Sequence, residues 1–231
     1  PVDDEEDSKY AAEIINSFVR QSFEILRSHP INLKRTKKGL HPANIILCRD
    51  AGNSPAKLKK PKGKWLCLGY MPLEIGIAKS MNLDVYKFRP VKFKGLDTYS
   101  QLHANLYRAI KYAKKMLKKN NKKYDYFYIH FKETDTPGHD NHPLEKVKML
   151  ETLDKKFFSF LKDFIKKKNT RLVLTADHTT ACKLKNHTSD PVPVLTYPAQ
   201  KTTENQRFTE EFGKKGRKLL GRKLLENNLF T

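Results

Sequence analysis

The sequence predicts an α/β fold with a parallel sheet flanked by helices, because short apolar runs alternate with amphipathic stretches along the chain. A second observation concerns the runs at residues 124–131 (YDYFYIHF) and 171–175 (RLVLT), which both lead into loops that carry aspartate and histidine. Parallel sheets bind ligands beyond the carboxyl ends of their strands. The sequence therefore also predicts a polar site at one edge of the sheet.

The individual elements follow from apolar periodicity and from proline. Apolar residues recur at helical spacing over residues 10–26, 99–117 and 143–164, and residues 73–81 open a further helix. The first helix should end before Pro30, since proline disfavours helix in the preceding residue, and Pro143 suits a first helical turn. Short apolar runs predict strands, at residues 43–48 (ANIILC), 65–68, 84–88, 124–131 and 171–175.

The charge of the chain is extreme for its length. Its 231 residues suffice for one large or two small domains, and 46 basic against 25 acidic residues give a net charge of +21. Such a balance favours anionic partners, among them phosphorylated metabolites, nucleic acid and acidic surfaces. Most lysines fall in helical stretches, so a solvated charged face is the alternative. An aromatic-glycine RNA signature and zinc-finger spacing are both missing, which disfavours nucleic-acid binding as the main role.

The cysteines bear on the cellular compartment. Cys48, Cys67 and Cys182 are few, odd in number and widely spaced. This argues against a disulfide framework and favours a reducing, cytoplasmic compartment. Cys182 lies in the second polar loop, where it is either a ligand or a packed thiol. Because no apolar run approaches the ~20 residues that span a membrane and no signal peptide is recognised, no membrane partner is expected.

Five polar side chains in the two loops are candidate metal ligands. Asp135 and His139 lie four residues apart, Asp177 and His178 are adjacent, and His187 follows nine residues later. Carboxylate oxygens combined with imidazoles suit Mn²⁺ or Zn²⁺ better than Mg²⁺. Five ligands exceed one four-coordinate ion, which indicates two metals. The alternative is ordinary loops with capping aspartates and surface histidines, but five such residues after two strands favour the metal site.

Other polar residues near the loops have less distinct roles. His130, just before the first loop, either supports a ligand by hydrogen bonding or is an ordinary strand residue. Thr175, Thr179 and Thr180 lie near the second loop, and nothing in the sequence singles one out as a nucleophile.

Longer stretches of the sequence resemble a known family. Residues 124–154 (YDYFYIHFKETDTPGHDNHPLEKVKMLETLD) resemble the archaeal-type cofactor-independent phosphoglycerate mutases of the alkaline phosphatase superfamily. Residues 175–195 (TADHTTACKLKNHTSDPVPVL) look like the second metal loop of that family, and residues 207–216 are similar to its C-terminal segment. Residues 29–52 resemble its substrate-binding lid. The resemblance extends over most of the chain.

The resemblance implies a ligand assignment. Asp135, His139 and His187 would hold one divalent ion, and Asp177 and His178 a second. Manganese is the usual ion in that family, with zinc and cobalt as alternatives.

A lid and a substrate are implied in the same way. Arg35, Asn44 and Arg49 would lie on the lid and contact the phosphate or carboxylate of a phosphoglycerate. Arginine suits this role because its planar fork meets an oxyanion with two hydrogen bonds. The implied domains are the C-terminal part of a smaller α/β lid, residues 1–72, and the C-terminal part of an alkaline phosphatase-like core, residues 73–231.

The implied reaction interconverts 3-phosphoglycerate and 2-phosphoglycerate through a phosphoserine. The family's metal-binding aspartate on its first strand and its serine nucleophile have no counterpart in this sequence. The chain therefore resembles a C-terminal half, with no catalytic nucleophile of its own and with a separate N-terminal half as a candidate partner. Where the family carries a lysine before a Gly-Ile-Ala-like segment, this chain reads LEIGIA at residues 73–78, and Asn105 lies near a second lost lysine.

Two alternatives remain open at this point. Loss of the two lysines favours another phosphatase or phosphomutase of the same superfamily. The net charge of +21 favours a degenerate, non-catalytic subunit that binds RNA or acidic partners.

Overall fold

The structure is a computed structural model that describes residues 1, 3–48, 52, 54, 57–86, 88–90, 97–198 and 207–224. The chain divides into two compact units, Pro1–Lys57 and Leu58–Thr231. The boundary predicted after residue 72 falls inside the second unit, because the strand Trp65–Leu68 belongs to the sheet of that unit. The assignment of the units as lid and core stays a prediction.

The described part of the first unit contains two helices, α1 (Glu6–Arg27) and α2 (Pro30–Lys37). As predicted, α1 ends before Pro30, and α2 begins at this proline. Among the described residues of the unit only Asn32 is buried. Its side chain donates to the carbonyl of Leu26 at 2.7 Å and accepts from the amide of Ala43 at 2.9 Å, which ties the segment after α2 to α1. The unit is therefore held together more by polar contacts than by a core.

The predicted strand at residues 43–48 is wrong. These residues have no regular secondary structure, and Leu47 is 83% exposed. An apolar run becomes a buried strand only when a neighbouring strand pairs with it, and the described part of the first unit contains no strand.

The second unit is built on a three-stranded parallel sheet. Its order is β2-β1-β3, with β1 at Trp65–Leu68, β2 at Asp84–Val85 and β3 at Tyr126–Ile129. Helices α3 (Pro72–Ser80) and α4 (Thr98–Asn120) connect the strands in turn. All four residues of β1 are buried, as expected for the central strand of a sheet covered on both faces. The sequence-based fold class is confirmed.

One apolar core joins the sheet to its helices. Helix α6 (Pro143–Leu153) continues through a π-helical turn (Asp154–Phe158) into α7 (Ser159–Lys168). The side chain of Asp97 caps α4 by accepting from the amide of Ser100 at 3.0 Å. The apolar faces of these helices meet β1 in a cluster of buried residues: Leu66, Leu68, Leu102, Leu106, Ile110, Ala113, Met116, Leu117, Tyr124, Met149, Leu153, Phe157, Leu161 and Ile165.

The remaining strands form two small antiparallel pairs. β4 (Leu172–Leu174) pairs with β7 (Leu195–Tyr197), and β5 (Thr179–Ala181) pairs with β6 (Asn186–Thr188). The strand at residues 171–175 is thus confirmed, but it does not join the parallel sheet. Leu172 still packs against the main core. A short helix, α5 (Thr136–His139), follows β3, and α8 (Glu210–Gly213) lies near the end of the described chain.

Two further properties concern the whole described chain. Cys48, Cys67 and Cys182 are all free thiols. None of the helices in the described ranges is both long enough and apolar enough to cross a membrane.

The core predicts the effect of a cavity in α4. Leu106 is fully buried, and Leu106→Ala should lower the free energy of unfolding by about 2–5 kcal/mol, because the lost methyl groups leave a void. Leu144→Ala is the control, since Leu144 is 75% exposed and should change stability by less than about 0.5 kcal/mol. Urea unfolding followed by the fluorescence of Trp65, the single tryptophan, measures both. Equal midpoints for the two variants would contradict this packing.

Candidate metal centre

The first polar loop folds into a single helical turn. α5 begins directly after Asp135, whose carbonyl accepts from the amides of Gly138 at 2.9 Å and His139 at 3.3 Å. Residues four apart lie on the same face of a helix. The turn therefore directs the side chains of Asp135 and His139 to one side. Pro137 occupies the first turn, where the missing amide costs no helical hydrogen bond.

The second polar loop forms a β-hairpin that packs against this turn. Its register places Thr180 directly opposite His187, and Lys185, in the left-handed region with φ 53°, closes the connection. A Cβ added to Gly138 would lie 2.8 Å from both Cγ2 and the carbonyl oxygen of Thr180. The approach of turn and hairpin is therefore close enough to require glycine at this position.

Four of the predicted ligands converge where the turn meets the hairpin. Nε2 of His139 lies 3.1 Å from Nε2 of His187, and these nitrogens lie 3.5 and 3.6 Å from Oδ1 of Asp135. His178 has a ligand atom within 4.8 Å of those of Asp135 and His187. A tetrahedral ion with bonds of about 2.0–2.1 Å separates its ligands by about 3.3 Å. The three measured separations therefore fit one divalent ion.

Hydrogen bonds made by Nδ1 of two of the imidazoles determine which ring nitrogen carries the proton and which can bind a metal. Nδ1 of His139 lies 3.0 Å from the carbonyl oxygen of Lys185, and because a carbonyl only accepts, Nδ1 carries the proton. The hydroxyl of Thr180 donates to Oδ1 of Asp135 at 2.6 Å, so it accepts from Nδ1 of His178 at 3.2 Å. Both histidines thus keep an unprotonated Nε2 that is available as a ligand atom, as in metal-bound histidines.

The carboxylate of Asp135 is held in its charged form. Burial by itself raises its pKa, but hydrogen bonds from Lys132 and Thr180 outweigh burial and lower the pKa from 3.8 to about 2. Nζ of Lys132 lies 2.5 Å from Oδ2, which leaves Oδ1 on the side of the histidines. Asp135 is therefore ionised at neutral pH, as a metal ligand must be.

A buried carboxylate anchors the chain between β3 and α5. Glu133 is 2% exposed and accepts hydrogen bonds from the hydroxyl of Tyr70 and the side-chain amide of Asn105 on α4. The same Tyr70 oxygen accepts from the backbone amide of Lys132 at 3.0 Å. Burial, and then the charge of Glu133, raise the pKa of Tyr70, which keeps its hydroxyl protonated as a donor. The ligand-bearing loop is thus attached to the core.

Asp177 lies at one side of the cluster. The chain bends there, so that the amide of His178 donates to Oδ1 of Asp177 at 3.1 Å. Oδ2 of Asp177 lies 3.3 Å from Nε2 of His178 and 3.8 Å from Nε2 of His130. The structure therefore brings His178 close both to Asp177 and to the three-ligand group, whereas Asp177 contacts no other predicted ligand among the described residues.

The predicted substrate contacts lie in the first unit. Arg35 on α2 donates from Nε to the carbonyl of His41 at 2.9 Å. Asn44 is half-buried in the segment after α2, and Arg49 lies outside the described residues. A substrate-binding role for these residues stays a prediction.

Two supporting residues are not revealed by the spacing of aspartate and histidine. Thr180 joins both loops and is 4% exposed, and Lys132 pairs with Asp135. A weak signal for Thr180 exists, because it follows His178 by two residues and so shares its side of an extended strand. Cys182 contacts the carbonyl of Pro137 through Sγ at 3.9 Å, which corresponds to the packed thiol.

Comparison with known proteins identifies the family. A family profile described as the Metalloenzyme superfamily matches residues 74–222. That span includes both polar loops and all five predicted ligands. The chain therefore belongs to the Metalloenzyme superfamily.

Within that class the chain is similar to proteins named 2,3-bisphosphoglycerate-independent phosphoglycerate mutase. The one from Pyrococcus abyssi is 34% identical over 218 residues, which cover 92% of this chain and 50% of that protein. The one from Archaeoglobus fulgidus is 37% identical over 199 residues, with 84% and 45% covered. A solved structure of a Pyrococcus horikoshii protein gives a TM-score of 0.72 at 32% identity and covers 91% of this chain and 54% of that one.

These relatives confirm the resemblance seen in the sequence. The chain spans about half the length of the curated relatives it matches and corresponds to a C-terminal-like half.

Glycine substitutions test the contact between turn and hairpin. Gly138→Ala should destabilise the protein by about 1–3 kcal/mol, because its Cβ would overlap Thr180 and force the two segments apart. Gly76→Ala on α3 is the control: its Cβ would meet open space, and alanine in a helix should stabilise by about 0.5–1 kcal/mol. Urea unfolding of both variants measures this difference in sign. A neutral Gly138→Ala would contradict the close approach.

The lowered pKa of Asp135 predicts that the stability of the fold depends on pH in the acid range. Since the folded pKa lies below the unfolded one, the stabilisation is complete above about pH 4 and is lost as the pH falls through about 2. With metals removed by EDTA, the free energy of unfolding of the wild type should therefore fall by about 2 kcal/mol more than that of Asp135→Asn when the pH is lowered from 5 to 2. Unfolding curves at several pH values measure the difference. Parallel acid profiles for the two proteins would show that Asp135 is not held by Lys132 and Thr180.

Proposed function

We propose that this chain provides the metal-binding half of a cofactor-independent phosphoglycerate mutase that acts in the cytoplasm. The observation that carries the proposal is the meeting of Asp135, His139 and His187 at separations suited to one divalent ion. The similarity to proteins of that name, which extends over 92% of this chain for the Pyrococcus abyssi protein, supports the choice of reaction. The free thiols support the compartment.

The centre holds two divalent ions, with Mn²⁺ as the expected metal and Zn²⁺ or Co²⁺ as alternatives. Asp135, His139 and His187 bind one ion, and Asp177 and His178 bind the other. The mixture of imidazole and carboxylate donors suits these metals better than Mg²⁺. When bound, such ions stabilise the attacking and leaving oxygens of a phosphoryl transfer.

The residues of this chain bind, orient and hold charge. Lys132 and Thr180 keep Asp135 ionised and fixed in direction. The excess of basic residues attracts phosphorylated substrates such as 3-phosphoglycerate and 2-phosphoglycerate. The serine that carries the phosphoryl group between the two positions belongs to the N-terminal half.

The lid residues hold the rest of the substrate in this proposal. Arg35, Asn44 and Arg49 contact its phosphate or carboxylate, where the planar fork of arginine is well matched to an oxyanion. Holding the glycerate while it reorients is a positioning task, and phosphoryl transfer depends largely on positioning and electrostatics.

The surface of the first unit supports a partner half. α1 carries an apolar stripe with no buried residue, and Ile14 and Phe18 on this stripe are 52% and 51% exposed. An apolar stripe of this kind normally packs against another element. We propose that the N-terminal half covers it, on the same polypeptide or as a separate chain, and completes a lid domain around the first unit, Pro1–Lys57.

One observation favours a second candidate, a phosphatase or a different phosphomutase of the same superfamily. Glu74 and Asn105 lie near the two positions where the resemblance leads one to expect lysines. Glu74 pairs with His130, and Asn105 donates to Glu133, so neither offers a positive charge to a phosphate. A non-catalytic subunit that binds RNA or acidic partners rests on the net charge of +21 alone.

Reconstitution tests the mutase. Mixed with a polypeptide equivalent to the N-terminal half of the Pyrococcus abyssi protein, the purified chain should convert 3-phosphoglycerate to 2-phosphoglycerate with Mn²⁺, and EDTA should abolish the conversion. His187→Ala should lower the rate by more than the roughly 10–100-fold typical of residues that only support ligands. Leu144→Ala, on an exposed helical face, is the control and should keep full activity. Phosphorus NMR of the quenched reaction measures the product.

Two outcomes would reject the mutase. Release of free phosphate without 2-phosphoglycerate would identify the phosphatase. A chain that binds no metal but binds nucleic acid with an affinity that falls steeply with salt would identify the basic subunit.

A further inference from the structure

A carboxylate–histidine pair lies beside Asp177. Glu74, in the first turn of α3, and His130, just after β3, are joined at 2.9 Å between Oε1 and Nδ1. Their side chains are only 13% and 17% exposed. The proposed reaction gives neither residue a role, and a largely buried charge needs a reason to be there.

The pair determines the state of the histidine. A carboxylate only accepts, so Nδ1 of His130 carries the proton and Nε2 is free. This is the same arrangement that the hydrogen bonds behind His139 and His178 impose on those two residues. A carboxylate behind an imidazole also makes its other nitrogen a stronger metal ligand.

The free nitrogen of His130 faces an acceptor. It lies 3.8 Å from Oδ2 of Asp177, which is too long for a hydrogen bond. Nε2 of His178 lies 3.3 Å from the same oxygen. Each of the two imidazole nitrogens therefore lies at a distance from this carboxylate oxygen that is close to the separation between two ligands of one ion, about 3.3 Å for bonds of about 2.0–2.1 Å.

The second oxygen of Glu74 gives an independent indication. Oε2 is buried and receives no hydrogen bond in the described structure. Leaving such an oxygen unpaired costs free energy. A divalent cation on the far side of His130 would offset that charge, because charge interactions are strong where water is excluded.

We propose that His130, held by Glu74, is a ligand of the ion bound by Asp177 and His178. The inference rests on the proposed metal centre and extends it. The second ion then has three ligands in this chain, and Glu74 acts as a positioning residue for His130.

Metal titration of the purified chain tests this assignment. Calorimetry with Mn²⁺, and the visible absorption of bound Co²⁺, report stoichiometry and ligand set without any activity assay. The wild type should bind two equivalents. His130→Ala should lose one of them, and His187→Ala should lose the other. Glu74→Gln, which removes a charge but no ligand, should weaken one equivalent by about 10–100-fold and alter the Co²⁺ spectrum.

His103→Ala is the matched control. His103 is also a histidine paired with a carboxylate, at 2.8 Å from Glu145, but among the described contacts neither residue touches a predicted ligand. This variant should bind both ions as the wild type does. Trp65 fluorescence checks that each variant is folded, and Glu74→Gln keeps the test decisive if His130→Ala unfolds.

The outcomes separate this inference from the proposed function. Two equivalents with unchanged affinity in both His130→Ala and Glu74→Gln would overturn the role of His130 and leave the Asp135–His139–His187 site intact. A wild type that binds one ion, lost in His187→Ala, would also overturn it. A wild type that binds no ion would overturn the metal centre itself.

Discussion

The contact between Gly138 and Thr180 is the constraint on which the candidate centre depends. It brings the helical turn after β3 against the β5–β6 hairpin, although Asp135 and Thr180 are 45 residues apart in the chain. The hydroxyl of Thr180 bonds Asp135 and His178, and its carbonyl accepts from Nζ of Lys146 at 2.7 Å. One small buried residue thus couples both ligand loops to each other and to α6.

The helices of this fold could be predicted from local sequence patterns, whereas the pairing of its short strands could not. Helices α1 and α4 and the break at Pro30 could be predicted, because helical periodicity and proline act within a few residues. The partners of short strands could not be predicted. The runs at residues 43–48 and 171–175 look alike as sequence, yet the first is largely exposed and has no strand partner among the described residues, whereas the second pairs with β7. Pairing depends on distant residues, which a local pattern does not contain.

The candidate site shows the same division. Asp135 and His139 could be predicted as a pair because their spacing alone places them on one face of a turn. His187 reaches them only through the register of the β5–β6 hairpin. The pairing of Glu74 with His130 joins α3 to the end of β3. The residue spacing within either segment does not predict this contact.

The buried carboxylate of Glu133 has a consequence for how any bound ion and the protein would influence each other. Because Tyr70 and Asn105 hold Glu133 inside the unit, the segment that leads to Asp135 is continuous with the packing of β1 and α4. Ligands that are already in place lose little conformational freedom on binding. By linkage, an ion that binds only the folded chain stabilises the fold. A substitution that destabilises the core therefore also lowers the apparent affinity for the ion. Cation affinity in this chain would therefore report on the integrity of its interior.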